Sequence, residues 1–207
     1  MNAPMNPQCH VIVMAKAPLA GYAKTRLIPA LGAPGAAALA MRLLVHALEQ
    51  AQQAGLGSVE LCCAPSARDP AFAPWVGAAG IALTDQGEGD LGERMERALQ
   101  RGLLAQRRAL LIGTDAPALG AGVLRAAAAA LDEHEVVFVP AFDGGYVLIG
   151  LRRPVPELFE GMTWSTPEVM QHSRERLAQA GIGHAELAPL ADIDVPADLV
   201  HLPAGWL

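Results

Sequence analysis

The stretch that decides the fold reads ALLIGTDAP and spans residues 109–117. Residues 109–112 are wholly apolar, which predicts a short strand buried on both faces of a sheet. Asp115 follows this strand closely, and Pro117 restrains the backbone behind it. In open α/β sheets, ligands bind beyond the carboxyl ends of the strands. The stretch therefore predicts a strand whose tip presents Asp115 to a ligand-binding cleft.

Short apolar segments alternate with helical ones along the rest of the chain. Strands are predicted at residues 10–14, 59–63, 81–84, 109–112, 136–140, 146–151 and 184–187, and helices at residues 34–54, 69–79, 91–106, 123–133 and 167–180. This alternation predicts a single α/β domain whose mostly parallel, mixed sheet is covered by helices on both faces, a three-layer sandwich. We expect the domain to span residues 9–207, after a disordered polar tail at residues 1–8.

The composition points to one globular domain with a large core. Hydrophobic residues make up 52% of the 207 residues and charged residues only 17%, against about 25% in typical domains. The net charge of −6 and the lack of a basic run argue against a nucleic-acid partner. Three cysteines, two of them adjacent, give no disulfide framework or metal spacing and suggest a reducing compartment.

The same features predict a cytoplasmic protein with no membrane segment. The amino-terminal residues lack the basic-then-apolar order of a signal peptide. The best apolar stretch, residues 39–48, is interrupted by Arg42 and His46, so no span of a bilayer is expected. The oligomeric state cannot be read from the sequence.

A loop with two lysines follows the first predicted strand. It reads KAPLAGYAKTRL (residues 16–27) and contains Lys16 and Lys24, the only lysines among fifteen basic residues. A lysine ammonium is a compact, mobile point charge, and such a loop can wrap a polyphosphate with cations and backbone N–H groups. It is not a Walker A loop, because Ala23 stands where that motif needs glycine. The alternative is an ordinary surface loop whose basic residues face water.

Asp115 is the candidate metal ligand. Mg²⁺ is usually bound by one or two carboxylates together with phosphate oxygens, so Asp115 and a bound nucleotide could suffice. The alternative is that Asp115 caps the next helix, which is a common role for an aspartate after a strand.

Three further motifs allow both a functional and a structural interpretation. DGGY (residues 143–146) permits either close ligand approach or a plain hairpin turn. WSTP (residues 164–167) is typical of a helix start. DID (residues 192–194) puts two carboxylates on one side of an extended segment, where they could supply a second metal ligand or cap a helix near Pro196.

A glycine pattern at residues 86–92 supports a competing hypothesis. QGEGDLG contains G-x-G-x-x-G between a predicted strand and a predicted helix, as in dinucleotide-binding dehydrogenases. Against this reading, Glu88 and Asp90 would place negative charge where the pyrophosphate should lie. It would also leave the lysine loop without a role.

Taken in order, these motifs resemble one bacterial family, the radical-SAM/selenodomain-associated or arsenosugar-biosynthesis glycosyltransferases. The resemblance covers roughly residues 10–199 and rests on MAKAP (14–18), Gly21, KTRL (24–27), GTDAP (113–117), DGGY, WST (164–166) and DID. That family is similar to the nucleotide-diphospho-sugar transferase superfamily with the GT-A fold, which also includes guanylyltransferases.

The resemblance implies a GT-A fold, a nucleotide or nucleotide-sugar, a small-molecule acceptor, and Mg²⁺ or Mn²⁺. The residues it implies in nucleotide binding are Ala15, Lys16, Gly21, Lys24, Thr25, Arg26, Gln86, Gly89, Gly92 and Thr114. Those implied in substrate binding are Gly144, Gly145, Tyr146, Trp164 and Ser165. Asp115 and Asp194 would hold the metal, and the catalytic residues would be Asp115, Lys24 and Asp143.

The sequence departs from many glycosyltransferases at one position of the metal motif. Their Asp-x-Asp pattern would place a second acid at position 117, where this chain has Pro117. The second metal ligand therefore stays open between Asp143 and Asp194. Nucleotidyl transfer stays open beside glycosyl transfer, as does a non-catalytic nucleotide sensor. All of these require Lys24 and Asp115 to meet at one end of the sheet.

Overall fold

The computed structural model describes residues 8–206, so the tail predicted at residues 1–8 lies outside them except for Gln8. The strands are β1 (His10–Lys16), β2 (Val59–Ala64), β3 (Ile81–Asp85), β4 (Ala109–Ile112), β5 (Val136–Pro140), β6 (Tyr146–Leu151) and β7 (His184–Glu186). The helices are α1 (Ile28–Ala54), α2 (Leu91–Ala105), α3 (Ala121–Ala130) and α4 (Val169–Ala180). Every predicted strand is present, and β4, β5 and β6 have the predicted bounds.

The strands form one seven-stranded sheet in the order β3-β2-β1-β4-β6-β5-β7. β6 runs antiparallel to both of its neighbours, whereas the other pairings are parallel. The prediction of a mostly parallel, mixed sheet is therefore confirmed. β4 lies between β1 and β6, so the carboxyl ends of β1 and β4 and the amino end of β6 share one edge of the sheet.

Helices cover both faces of this sheet. Side chains of β1 alternate between two cores: Val11 and Val13 pack with residues of α1 and α3, whereas Ile12 packs with residues of α2 and α4. Successive side chains of a strand point to opposite faces, so a strand covered on both sides must be apolar throughout. This explains the unbroken apolar run of β4 and confirms the three-layer architecture.

The start of α1 and the carboxyl-terminal segment build a third, smaller core. Gly32 (φ +69°) kinks α1 just before Pro34, where the regular helix was predicted to begin. Beyond the kink, Leu39 and Leu43 pack around Ile193, which is fully buried. Burial of Ile193 fixes the position of its neighbours Asp192 and Asp194.

The segments predicted as helices at residues 69–79 and 167–180 differ from the prediction in type or in starting point. Residues 69–79 form only the 3₁₀ helix Pro70–Trp75, because prolines fall inside the segment and Asp69 caps it by accepting a hydrogen bond from the Ala71 amide. The helix start predicted at residues 164–167 is wrong. α4 begins at Val169, and Ser165 instead adopts a left-handed backbone conformation with φ +62°.

The expectation that no segment suits a membrane by composition also needs correction. The helical segment Thr25–Ala54 is long and apolar enough to cross one. Its residues Leu44, Leu48 and Ala51, however, are buried in the core between α1 and the sheet. Packing on a sheet accounts for the apolar face of α1, as it does for the core helices of globular domains.

A buried polar network lies toward the other end of the sheet. Glu60 in β2 is only 3% exposed and accepts hydrogen bonds from Thr84 (2.6 Å) and Arg101 (2.6 Å), while His10 lies 2.9 Å from its second oxygen. Burial alone would raise the pKa of Glu60, but these partners outweigh it and lower the pKa to about 2. A carboxylate this buried is tolerated because its oxygens are fully paired.

We expect Glu60→Gln to lower the free energy of unfolding at neutral pH by about 3 kcal/mol, because it leaves the Arg101 guanidinium without its buried counter-charge. A carboxyl whose pKa is lowered by folding stabilises the protein above its unfolded pKa of about 4.3, and this contribution fades as the pH falls toward about 2. Urea unfolding measured from neutral to acidic pH should therefore show that the difference in free energy of unfolding between the parent and Glu60→Gln shrinks over this range.

Glu135→Gln provides the matched control. Glu135 also pairs with an arginine, Arg153, but at the surface, where half of the Arg153 side chain is exposed. Surface pairs contribute about 0–1 kcal/mol, so this variant should unfold nearly as the parent does. Equal losses from the two substitutions, or a Glu60 effect independent of pH, would contradict the role given to the network.

Candidate active site

A cleft of about 700 Å³ opens at the sheet edge where β1, β4 and β6 meet. The predicted site residues that line it are Lys16, Lys24, Thr25, Arg26, Gln86, Thr114, Asp115, Asp143, Tyr146, Ser165 and Asp194. They come from loops that follow different strands, together with the carboxyl-terminal segment. The fold thus brings into one cleft predicted site residues that are up to 178 positions apart in the chain, Lys16 and Asp194 being the extremes among them.

Lys24 lies at the centre of the polar contacts in this cleft. Its Nζ is 2.8 Å from Asp115 Oδ1 and 3.8 Å from Asp194 Oδ1, and it donates a hydrogen bond to the carbonyl oxygen of Ile193 at 2.6 Å. Only 7% of the Lys24 side chain is exposed. Its backbone is left-handed, with φ +51°, which costs a residue with a side chain about 1 kcal/mol. These contacts offset that cost.

The carboxyl-terminal segment completes this arrangement. The Ile193 amide donates to the carbonyl oxygen of Asp115 at 2.9 Å, and Asp194 Oδ2 accepts a hydrogen bond from Arg26 at 2.7 Å. The side chains of Asp115 and Asp194 are 44% and 43% exposed. Both carboxylates are therefore held from one side and remain open to the cleft.

Four carboxylates, those of Asp115, Asp143, Asp192 and Asp194, lie close enough to influence one another near Lys24. The pKa of Asp192 is raised, first by burial and then by the nearby carboxylates of Asp143, Asp115 and Asp194. The carboxylates add to the effect of burial, because each one disfavours a further negative charge nearby. Three carboxylates (Asp115, Asp143 and Asp194) and three cations (Lys16, Lys24 and Arg26) line the cleft, a mixture that suits an anion bound together with a metal.

The carboxylates fit a hard divalent ion that also takes oxygens from a ligand. Asp115 and Asp194 offer the oxygen donors that Mg²⁺ and Mn²⁺ prefer. Among the described residues there is no cluster of three or more histidine, cysteine or acidic side chains able to hold a metal by itself. Asp143 also lines the cleft, and its Oδ1 accepts a hydrogen bond from the Gly145 amide at 2.8 Å.

The alternative role of Asp115 as a helix cap is wrong. α3 begins only at Ala121, and Gly120 occupies the capping position. The Asp115 side chain instead contacts Lys24 and accepts a hydrogen bond from the Thr114 hydroxyl at 3.1 Å. Helix capping therefore does not explain this carboxylate.

Gln86 is locked in the floor of the cleft. It is 6% exposed, and its Nε2 donates to the carbonyl oxygens of Ala15 and Cys62, each at 3.1 Å. Because both neighbours are acceptors, the amide nitrogen must face them. The Gln86 side chain is therefore a rigid part of the lining.

The glycine pattern at residues 86–92 does not form a dinucleotide site. Arg97 donates to the carbonyl oxygens of Gln86 and Glu88, at 2.6 and 3.0 Å. Asp90 and Glu93 form a capping box that takes up backbone N–H groups at the start of α2 and leaves two carboxylates there. A pyrophosphate would meet these charges, which disfavours the dehydrogenase hypothesis.

Some predicted site residues do not line the cleft; they are Ala15, Gly21, Gly89, Gly92, Gly144, Gly145 and Trp164. Gly144 (φ +93°) has a packing role: a Cβ there would collide with the carbonyl of Pro167, and its own carbonyl accepts the Met170 amide at 2.9 Å. The DGGY turn thus holds the start of α4 in place. The close approach that its glycines permit is to protein backbone.

Sequence reasoning missed several residues of the lining. Tyr22 is 42% exposed and lines the cleft from within the lysine loop, where its aromatic ring could have been noticed. Met14, Leu91 and Met95 add apolar surface. These three look like ordinary core positions in the sequence, so no local signal distinguishes them.

The fold is shared with several solved structures. A proposed nucleotide-diphospho-sugar transferase from Desulfovibrio desulfuricans G20 is 29% identical, with a TM-score of 0.83 over 92% of this chain and 84% of that one. CMP:2-keto-3-deoxy-manno-octonic acid synthetase, solved with CTP, is 15% identical, with a TM-score of 0.58 over 94% and 96%. Rv0371c from Mycobacterium tuberculosis H37Rv, solved with manganese, is 17% identical, with a TM-score of 0.55 over 95% and 98%. No curated protein sequence matches the chain.

These similarities show that the chain has a fold of the nucleotide-diphospho-sugar transferase type, which is GT-A-like. The chain is an enzyme of the transferase class. The chain belongs to the bacterial family described as "Uncharacterized protein conserved in bacteria (DUF2064)", which its residues 47–166 match. The matched part contains Asp115 and Asp143. Lys24 and Asp194 lie outside it.

Gly92 and Trp164 provide a test of how the wall behind the cleft lining is packed. A Cβ at Gly92 would lie 2.5 Å from the indole Nε1 of Trp164, and that buried Nε1 has no hydrogen-bond partner. We expect Gly92→Ala to lower the free energy of unfolding by about 1–3 kcal/mol because the indole must shift. Urea unfolding measures the loss, and a changed tryptophan emission spectrum would report the movement of Trp164.

Gly122→Ala is the control for this substitution. Gly122 also lies in the first turn of a helix, α3, and a Cβ there would meet nothing within 4 Å. Alanine at such a position should stabilise the protein by up to about 1 kcal/mol. If Gly92→Ala were equally harmless, the contact with Trp164 would not constrain this wall.

Proposed function

We propose that the protein is a divalent-metal-dependent transferase that moves a sugar from a nucleotide-sugar donor to a small acceptor. The observation that carries the proposal is the contact of 2.8 Å between Lys24 and Asp115 at the carboxyl ends of β1 and β4. It brings a cation suited to phosphate and a carboxylate suited to a metal into one cleft. The relative that is 29% identical and proposed to be a nucleotide-diphospho-sugar transferase supports the same class.

The residues divide between binding the donor and activating the acceptor. Asp115 and Asp194 would hold Mg²⁺ or Mn²⁺, which supplies positive charge to the departing nucleoside diphosphate. Lys24 and Arg26 would stabilise the same developing charge from the side of the lysine loop. Asp143 lies exposed across the cleft, where it would position the acceptor hydroxyl or take its proton.

Nucleotidyl transfer is the second candidate, and one feature of the metal motif favours it. Asp115 is followed by Pro117 where many glycosyltransferases have a second acid, so the partner carboxylate would come from Asp194, far along the chain. In this version the same groups would stabilise in-line attack of a phosphorylated small molecule on the α-phosphorus of a nucleoside triphosphate, with pyrophosphate leaving.

The setting of the reaction is also a proposal. The net charge of −6 disfavours a nucleic-acid substrate. We propose that the protein acts in the cytoplasm on small molecules, in line with its resemblance to radical-SAM-associated and arsenosugar glycosyltransferases.

The experiment that tests the proposal compares the leaving groups. The protein is incubated with Mg²⁺ or Mn²⁺, a panel of nucleoside triphosphates or nucleotide-sugars, and mixed sugar, alcohol and sugar-phosphate acceptors. Release of nucleoside diphosphate supports glycosyl transfer, and release of pyrophosphate supports the second candidate. Binding of nucleotides with neither product across the panel would leave a nucleotide sensor and contradict both transferase versions.

Asp115→Asn tests the metal ligand. We expect it to abolish metal-dependent nucleotide binding, measured by calorimetry, because an amide is a poor ligand for Mg²⁺. The melting temperature should change little, since the Asp115 side chain is 44% exposed and Lys24 keeps its contacts with the Ile193 carbonyl oxygen and Asp194.

Asp132→Asn is the matched control. Asp132 is an aspartate of similar exposure that pairs with Arg108 beyond the end of α3, outside the cleft lining. It should leave nucleotide binding intact. A large loss of stability in Asp115→Asn with binding preserved would mean that Asp115 is structural.

A further inference from the structure

The ammonium of Lys24 occupies the place from which a metal would reach both carboxylates. Its Nζ is 2.8 Å from Asp115 Oδ1 and 3.8 Å from Asp194 Oδ1. A divalent ion bound by the two aspartates must approach these same oxygens. Two cations in so small a space repel each other strongly. Lys24 and the metal therefore compete for one position.

Lys24 is held at this position by more than the carboxylates. Its third contact, 2.6 Å to the carbonyl oxygen of Ile193, is to a residue anchored in the small core. With 7% of its side chain exposed, the ammonium is mostly shielded from water. In the protein without ligand, the ammonium therefore balances the negative charge of Asp115 and Asp194.

Lysine is also suited to leave. Its charge sits on a flexible four-carbon stem, and phosphate oxygens are strong acceptors for an ammonium. A polyphosphate in the cleft could draw the ammonium away from the aspartates and leave both oxygens to the metal.

We propose that Lys24 closes the metal site in the free protein and that nucleotide binding opens it, so that metal and nucleotide enter together. This inference rests on the proposed function, because it takes Asp115 and Asp194 as the metal ligands. It adds an order of events: the ion alone binds weakly, and the nucleotide raises its affinity. By thermodynamic linkage, the ion must raise the affinity for the nucleotide by the same factor.

The test is the binding of Mn²⁺ without nucleotide, measured by electron paramagnetic resonance. Lys24→Met keeps the length of the side chain and removes its charge, so it should bind Mn²⁺ at least about tenfold more tightly than the parent because the competing cation is gone. Lys16→Met is the matched control: Lys16 lines the same cleft, but it is exposed and forms no ion pair with the aspartates. It should change Mn²⁺ affinity by less than about threefold, since its charge is screened by water.

Two further measurements keep the inference falsifiable. Adding Asp115→Asn to Lys24→Met should remove the gained Mn²⁺ affinity, and persistence of the gain would place the ion elsewhere and overturn the inference. In the parent protein, a nucleoside diphosphate should raise Mn²⁺ affinity at least about tenfold. Tight Mn²⁺ binding to the parent without nucleotide, or no gain in Lys24→Met, would also overturn it.

Failure of this inference can be told apart from failure of the proposed function. If nucleotides bind with metal but Lys24→Met gains no Mn²⁺ affinity, the site functions and Lys24 does not close it. If no nucleotide of the panel binds the parent with or without Mn²⁺, the proposed function itself is wrong.

Discussion

The site depends on a single ammonium group that ties together three distant parts of the chain. Lys24 follows β1, Asp115 follows β4, and the Ile193–Asp194 pair belongs to the carboxyl-terminal segment. A charge with so little exposure is stable only when it is paired. Here the ammonium donates a hydrogen bond to the Ile193 carbonyl oxygen and forms ion pairs with Asp115 at 2.8 Å and Asp194 at 3.8 Å. The same contacts that pair the lysine also bring the carboxylates together, so assembling the fold and assembling the site are one event.

The order of the strands makes this possible. Because β4 lies between β1 and β6, the loops that follow β1 and β4 and the turn that precedes β6 must emerge side by side. Burial of Ile193 against α1 then adds the last segment from the far end of the chain. The result is a cleft lined by three carboxylates and three cations, which suits an anion that is bound together with a metal.

Glycines and buried polar residues show how much of a motif can be structural. The glycines at residues 86–92 and 143–146 resemble ligand-binding loops in the sequence, yet Gly92 makes room for Trp164, and Gly144 for the backbone of Pro167. The side-chain amide nitrogen of Gln86 donates hydrogen bonds to two backbone carbonyl oxygens. Such residues shape the cleft by fixing its walls, and a local pattern cannot distinguish that role from ligand contact, because both need the same freedom of the backbone.

Local sequence pattern predicted the strands, because apolar runs of strand length must be buried. It also predicted that the lysine loop meets Asp115, because the carboxyl ends of parallel strands share one edge of the sheet. Where prolines interrupt a helical pattern, as at residues 69–79, local reasoning overextended the helix. Local pattern could not show that Asp194 lies beside the pair of Lys24 and Asp115. That position depends on Ile193 reaching a core about 150 residues away in sequence, and on Lys24 turning its ammonium inward. Contacts between residues so far apart are decided by packing and charge pairing in three dimensions, which no short stretch of sequence contains.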